Sequence, residues 1–232
     1  MQPAAVVAGS ASAVSTSTAV AGREPRRRRG GFSRLAGILL MLAGLVLIGG
    51  FALGMADGVK AQHNLNTRWQ QQLLKDPPPA VPAIQPAASL MKPVDGIDFA
   101  IRVPRLNYFA AVKEGVDSTV LYSGPGHYPE TPWPGQKGMV GVAAHNVYWI
   151  SFPEISKGDE VAIETRYGNF RYRVTGTKIV WPDDRTILVL GSGHQLTLTT
   201  CWPTWAGSFA NRRYIIFTEQ IDPDPAAPQK AA

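Results

Sequence analysis

Two periodicities divide the 232-residue chain. From Leu35 to Met55 the run LAGILLMLAGLVLIGGFALGM carries no charge, and its 21 positions match the ~20 residues a helix needs to cross a bilayer. Beyond residue 95 the pattern changes to short apolar or alternating stretches set between Gly, Pro and Asp clusters, which predicts strands over 98–103, 108–113, 139–145, 160–165, 169–180, 195–201 and 213–218. Short helical turns are expected over 116–122 and 148–155. Many strands with few helices predict a mainly β domain closed into a barrel, because closure removes exposed edges.

The flanking segments complete an outline of five parts. Residues 1–34 are rich in Ala, Ser, Val and Arg with little periodicity and read as a disordered basic tail. Residues 35–56 form the span. Residues 57–95, Gln-rich and then Pro-rich, read as a partly helical stalk followed by an extended spacer. Residues 96–220 form the folded domain and 221–232 a disordered tail.

Charge then fixes orientation and removes one function class. Residues 1–34 hold six arginines and one glutamate, which accounts for +5 of the formal net charge of +6. The folded region is therefore nearly neutral and gives no basic surface for nucleic acid. Arginines before the span keep the N-terminus in the cytoplasm and put the folded domain outside. A cleaved signal peptide is the competing reading, but its apolar region is ordinarily ~7–15 residues, and no small-x-small cleavage site follows Met55.

The chain has one cysteine, Cys201, so no disulfide staples the exported domain. Strict alternation in Gln195-Leu-Thr-Leu-Thr-Thr-Cys201 puts Leu196 and Leu198 on one face and Thr197, Thr199 and Cys201 on the other. A lone thiol is either a small buried hydrophobe or a nucleophile. A working thiol needs an imidazole or cation nearby and a donor for the oxyanion. Of four histidines, His63 lies in the stalk, His127 in Gly124-Pro-Gly-His-Tyr-Pro129 and His194 in Gly191-Ser-Gly-His194. His145 instead ends the strand Gly138-Met-Val-Gly-Val-Ala-Ala-His145, with the small residues Gly141 and Ala143 on its face. Arg212 and Arg213 open the last strand, and periodicity alone does not say which one points at Cys201.

The ordered set Val142-Ala-Ala-His145, Phe152-Pro-Glu-Ile-Ser-Lys-Gly-Asp-Glu160, Leu198-Thr-Thr-Cys201 and Arg213-Tyr-Ile-Ile216 resembles the sortase family of cysteine transpeptidases, over about residues 97–218. The 124–129 loop and the Cys201-Trp-Pro203 continuation are most similar to its class D and E branches. The resemblance implies the sortase β-barrel, with His145, Cys201 and Arg213 as catalytic residues. It implies a membrane-tethered enzyme that cuts a Leu-Pro-x-Thr-Gly-like signal at Thr–Gly through a thioacyl-enzyme. The implied partners are surface proteins with a C-terminal sorting signal and an amine acceptor, either a cell-wall peptidoglycan precursor or a pilin lysine. Where many sortases carry Gly-His-Arg, this chain has Ala144-His145-Asn146.

No cofactor or metal is expected, because one Cys and scattered His lack ligand spacing. A papain-like hydrolase needs its cysteine before its histidine, the reverse of the order here. The remaining alternative is a non-catalytic extracellular peptide-binding barrel.

Overall fold

A computed structural model of the chain describes residues 30–83, 86–188 and 193–225. The expected tails fall largely outside these residues, at 1–29 and 226–232, as do 189–192 before His194. The chain divides into two compact units, one ending at Ile48 and one beginning at Gly49. Helix α1, Gly30–Lys75, contributes to both. Its first part presents exposed apolar side chains such as Leu40, Met41 and Leu47. An 18-residue window of the helix reaches a mean hydropathy of 2.5 and has none of its residues buried.

In the second unit, eight strands among the described residues close a barrel in the order β1-β2-β3-β4-β7-β8-β6-β5. They are β1 (Ile97–Val103), β2 (Tyr108–Glu114), β3 (Gly126–His127), β4 (Gly138–Ala144), β5 (Glu160–Thr165), β6 (Gly168–Val180), β7 (His194–Trp202) and β8 (Arg212–Asp222). Every strand expected from alternation is present, within a few residues at its ends. One strand was not expected: β3, two residues inside a Gly-Pro loop, where nothing alternates. Helix α2 (Ser118–Tyr122) and a 3-10 turn, Phe152–Glu154, stand where helical turns were expected.

The core follows from the alternation. Leu196 and Leu198 of β7 pack inside with Phe99, Ile101, Ile163, Phe170 and Tyr172. A polar element is also built into this interior: His127 Nδ1 lies 2.9 Å from Asp98 Oδ2, and its Nε2 faces Thr131 Oγ1 at 3.1 Å and the Pro132 carbonyl at 3.2 Å. His127 is thus a buried tie between β1 and β3.

The segment expected to stand clear as stalk and spacer is instead packed on the barrel. From Gly49 onward, residues four apart on α1 make one stripe, Gly54, Gly58, Gln62 and Asn66, with Trp69 buried to 1% exposure beyond it. The Tyr122 hydroxyl donates to the Gly54 carbonyl at 2.6 Å. A Cβ on Gly58 would stand 2.6 Å from the Tyr148 hydroxyl and 2.8 Å from the Tyr122 carbonyl oxygen, so the helix approaches this closely only with glycine there.

Further along, Asn66 Oδ1 accepts from the Ala111 amide at 2.7 Å and Asn66 Nδ2 donates to the Phe109 carbonyl at 3.3 Å, while Gln62 Nε2 donates to the Ala111 carbonyl at 3.1 Å. Strand β3 pairs with β2 only at Lys113 and Glu114. The two α1 amides therefore take up the ladder bonds that β2 offers at 109–111 on the side away from β1, where no strand among the described residues meets it. After α1, the Ala83 amide donates to the Tyr167 carbonyl and Arg166 Nη2 to the carbonyls of Ser89, Leu90 and Lys92, which lays this stretch along the β5–β6 turn.

Candidate active site

Strands β4 and β7 run parallel, with Ala144 abreast of Thr200. Their C-terminal ends therefore emerge together, and His145, one residue beyond β4, comes level with Cys201. Strand β8 runs antiparallel to β7, with Arg213 directly opposite Cys201. Directly opposed residues project to the same side of a sheet, which answers the question that periodicity left open. Arg213 Nη1 donates to Cys201 Sγ at 3.5 Å, whereas Arg212 turns away and stacks over Trp181, its guanidinium carbon 3.1 Å from the ring centre.

The three side chains meet between two cavities. The larger, about 680 Å³, is lined by His145, Cys201 and Arg213, by Phe51, Met55 and Val59 of α1, and by the β7–β8 connection at Gly207, Ser208 and Ala210. The smaller, about 170 Å³, takes the same trio with Tyr128, Thr199 and Leu121. A thiol open to two cavities has room on one side for the acyl part of a carbonyl substrate and on the other for an amine that leaves or arrives.

The electrostatics are set by burial and by Arg213. Half-burial of His145 holds its pKa below the usual imidazole value, and the Arg213 charge pushes it the same way. Its ring has no hydrogen-bond partner among the described residues. Burial raises the Tyr128 pKa, partly offset by Arg213. The Thr199 hydroxyl is buried on the face it shares with Cys201 and lies beside Tyr128. Among the described residues no group of three or more His, Cys, Asp or Glu is gathered to hold a metal ion.

Of the four histidines, only His145 lines the described cavities with the thiol: His127 is tied to Asp98, and His194 Nδ1 meets the Gly135 carbonyl at 3.0 Å. Asn146, standing where many sortases carry arginine, donates through Nδ2 to the Gly207 carbonyl at 3.1 Å and so fastens the loop after β4 to the β7–β8 connection. Sequence reasoning missed Tyr128, Asn146 and the α1 wall. Thr199 was placed on the Cys201 face by alternation, and the stripe from Gly54 to Asn66 was legible as i, i+4 spacing, but a boundary drawn at residue 56 cut across it.

Thiol, imidazole and guanidinium around one cavity are the equipment of covalent acyl transfer. Residues 101–221, more than half of the chain, match the sortase domain model. The chain belongs to the sortase family, a family of cysteine transpeptidases. It is 32% identical over 123 residues to sortase D of Bacillus subtilis and 27% identical over 146 residues to sortase SrtE2 of Streptomyces coelicolor, in each case over about half of this chain (52% and 51%). The matches span 62% and 55% of those relatives' own length. In fold it is similar to a Clostridium perfringens sortase D5 transpeptidase, with a TM-score of 0.57 and 20% identity, covering 70% of this chain and 99% of the other.

Proposed function

We propose that this chain is a membrane-anchored transpeptidase in which Cys201 is the nucleophile, His145 the proton carrier and Arg213 the oxyanion donor. The observation that carries the reading is the register pairing of Cys201 with Arg213 at the end of β7, beside His145, with all three open to the same cavities.

In this reading the three groups carry the reaction between them. The Cys201 thiol passes its proton to the His145 imidazole, and the sulfur attacks the carbonyl carbon of a Thr–Gly bond in a Leu-Pro-x-Thr-Gly-like signal. Negative charge gathers on the carbonyl oxygen within reach of the Arg213 guanidinium. The C–N bond then breaks, the leaving amine takes the proton from His145, and a thioester remains on Cys201. An incoming amine attacks this thioester and gives its proton to His145; the C–S bond breaks, an amide forms and the thiol regains the proton.

Residues 96–220 form the catalytic domain in this reading. The apolar stretch 35–56 anchors it with the N-terminus in the cytoplasm and the barrel on the outer face. Its partners are surface proteins bearing a C-terminal sorting signal and an amine on a peptidoglycan precursor or pilin lysine. Mass spectrometry of the full chain in detergent, incubated with Leu-Pro-x-Thr-Gly and Leu-Ala-x-Thr-Gly peptides plus triglycine, tests it. A Thr–triglycine product absent from Cys201→Ala is expected. No turnover and no thioacyl adduct with any peptide would favour the non-catalytic peptide-binding barrel.

A further inference from the structure

The β7–β8 connection holds two aromatic side chains almost wholly in solvent, Trp205 at 80% and Phe209 at 90% exposure. Scattered exposed apolar residues are ordinary on a protein surface, but gathered ones mark an interface. These two stand four residues apart on one connection, on either side of Gly207 and Ser208. Gly207, Ser208 and Ala210 of the same connection line the larger cavity together with Val147, Phe51 and Met55. Phe51, Val147 and Ile150 are exposed as well. The cavity mouth thus has an apolar rim drawn from three places: the end of the apolar run in α1, the segment after His145, and the β7–β8 connection.

We propose that this rim is a lipid-contacting surface, with Trp205 and Phe209 seated in the interfacial layer of the bilayer so that the catalytic cavity opens at the membrane. The occupant is argued from continuity. Phe51 and Met55 are simultaneously cavity wall and the last turns of the uncharged run that α1 carries. An apolar surface joined to a spanning helix meets lipid before it meets any other partner. The chemistry agrees, because tryptophan favours the level of the headgroups and phenylalanine supplies apolar area that buries at the headgroup–acyl boundary. Loop and wall are each fastened to a neighbouring segment of the fold: Asn146 Nδ2 donates to the Gly207 carbonyl, and the Tyr122 hydroxyl donates to the Gly54 carbonyl. The inference rests on α1 being the membrane anchor of the proposed function.

The test uses the full chain reconstituted into phosphatidylcholine vesicles, with and without bromine atoms on the acyl chains near the headgroup. Tryptophan emission is compared between the unaltered protein and Trp205→Phe, and carbonate extraction runs in parallel. Expected is an emission component quenched by the brominated lipid in the unaltered chain and lost in Trp205→Phe, with both proteins resisting extraction. A protein that resists extraction but shows no bromolipid quenching assignable to Trp205 overturns the inference and leaves the anchor standing. A protein stripped by carbonate overturns the anchor itself. If Trp205 emission responds to sorting peptide but not to bromolipid, the loop is a substrate contact and the lipid assignment is wrong.

Discussion

Replacing Asn66 by alanine removes the side chain that satisfies β2 from outside the sheet. Three groups lose their partner: the Ala111 amide at 2.7 Å, the Phe109 carbonyl at 3.3 Å, and Gln62 Nε2, which donates to Asn66 Oδ1 at 2.7 Å. Gln62 retains its bond to the Ala111 carbonyl, so its loss is small. Ala111 is fully buried, and a buried donor left unmade costs about 1–3 kcal/mol. The longer bond to Phe109 adds about 0.5–1 kcal/mol. Alanine returns roughly 0.6 kcal/mol as the better helix former. The balance is a destabilisation of about 2 kcal/mol. For a domain of this size that lowers the melting temperature by roughly 4–8 °C. The assay is thermal unfolding of the full chain in detergent, followed by circular dichroism near 215 nm so that the barrel rather than α1 is read. A melting temperature within a degree of the unaltered protein would refute the reasoning, and with it the claim that α1 is structurally part of the barrel.

Gly58→Ala places a methyl against the Tyr148 hydroxyl and the Tyr122 backbone oxygen. Overpacking of about 1–3 kcal/mol outweighs the ~1 kcal/mol gained in helix propensity, so a lower melting temperature is expected. Adding Tyr148→Phe restores only part of the loss, because the Tyr122 carbonyl remains; full rescue or a stabilised single variant refutes the close approach. NMR titration of labelled histidines gives His145 a midpoint below the ordinary 6.5. In Arg213→Gln the midpoint rises, since a repelling charge is gone, but stays depressed because burial is the larger cause; a fall would contradict the assigned contact. The same lowering has a sign for stability: the unfolded chain binds the His145 proton more readily than the folded one. This site's contribution is present above pH 6.5 and declines as pH falls through the depressed folded value, which unfolding measured in that pH window reads.

The barrel was legible because its strands alternate and its turns carry Gly, Pro and Asp, signals that arise within single segments. The trio was legible through order and resemblance, and alternation put Cys201 opposite the leucine face. What escaped depends on distant segments meeting. Resemblance favoured Arg213 over Arg212, but the physical ground for that choice lies in the β7–β8 register. Asn146 looked like a departure from a motif until Gly207 stood beside it. Residues 57–75 read as a stalk because Gln62 and Asn66 are polar, and polarity along a helix suggests solvent when the edge awaiting those amides lies some 45 residues away.

That arrangement bears on how fragments of this protein behave. A catalytic piece begun after Lys75 would leave β2 with free amide and carbonyl groups at 109–111, a short open edge of the kind that recruits a strand from a neighbouring copy. Such a piece is expected to self-associate by edge pairing as its concentration rises. A piece begun upstream of Gly54 carries its own edge protection and stays apart. The second half of α1 is thus also the device that keeps one barrel from templating onto the next.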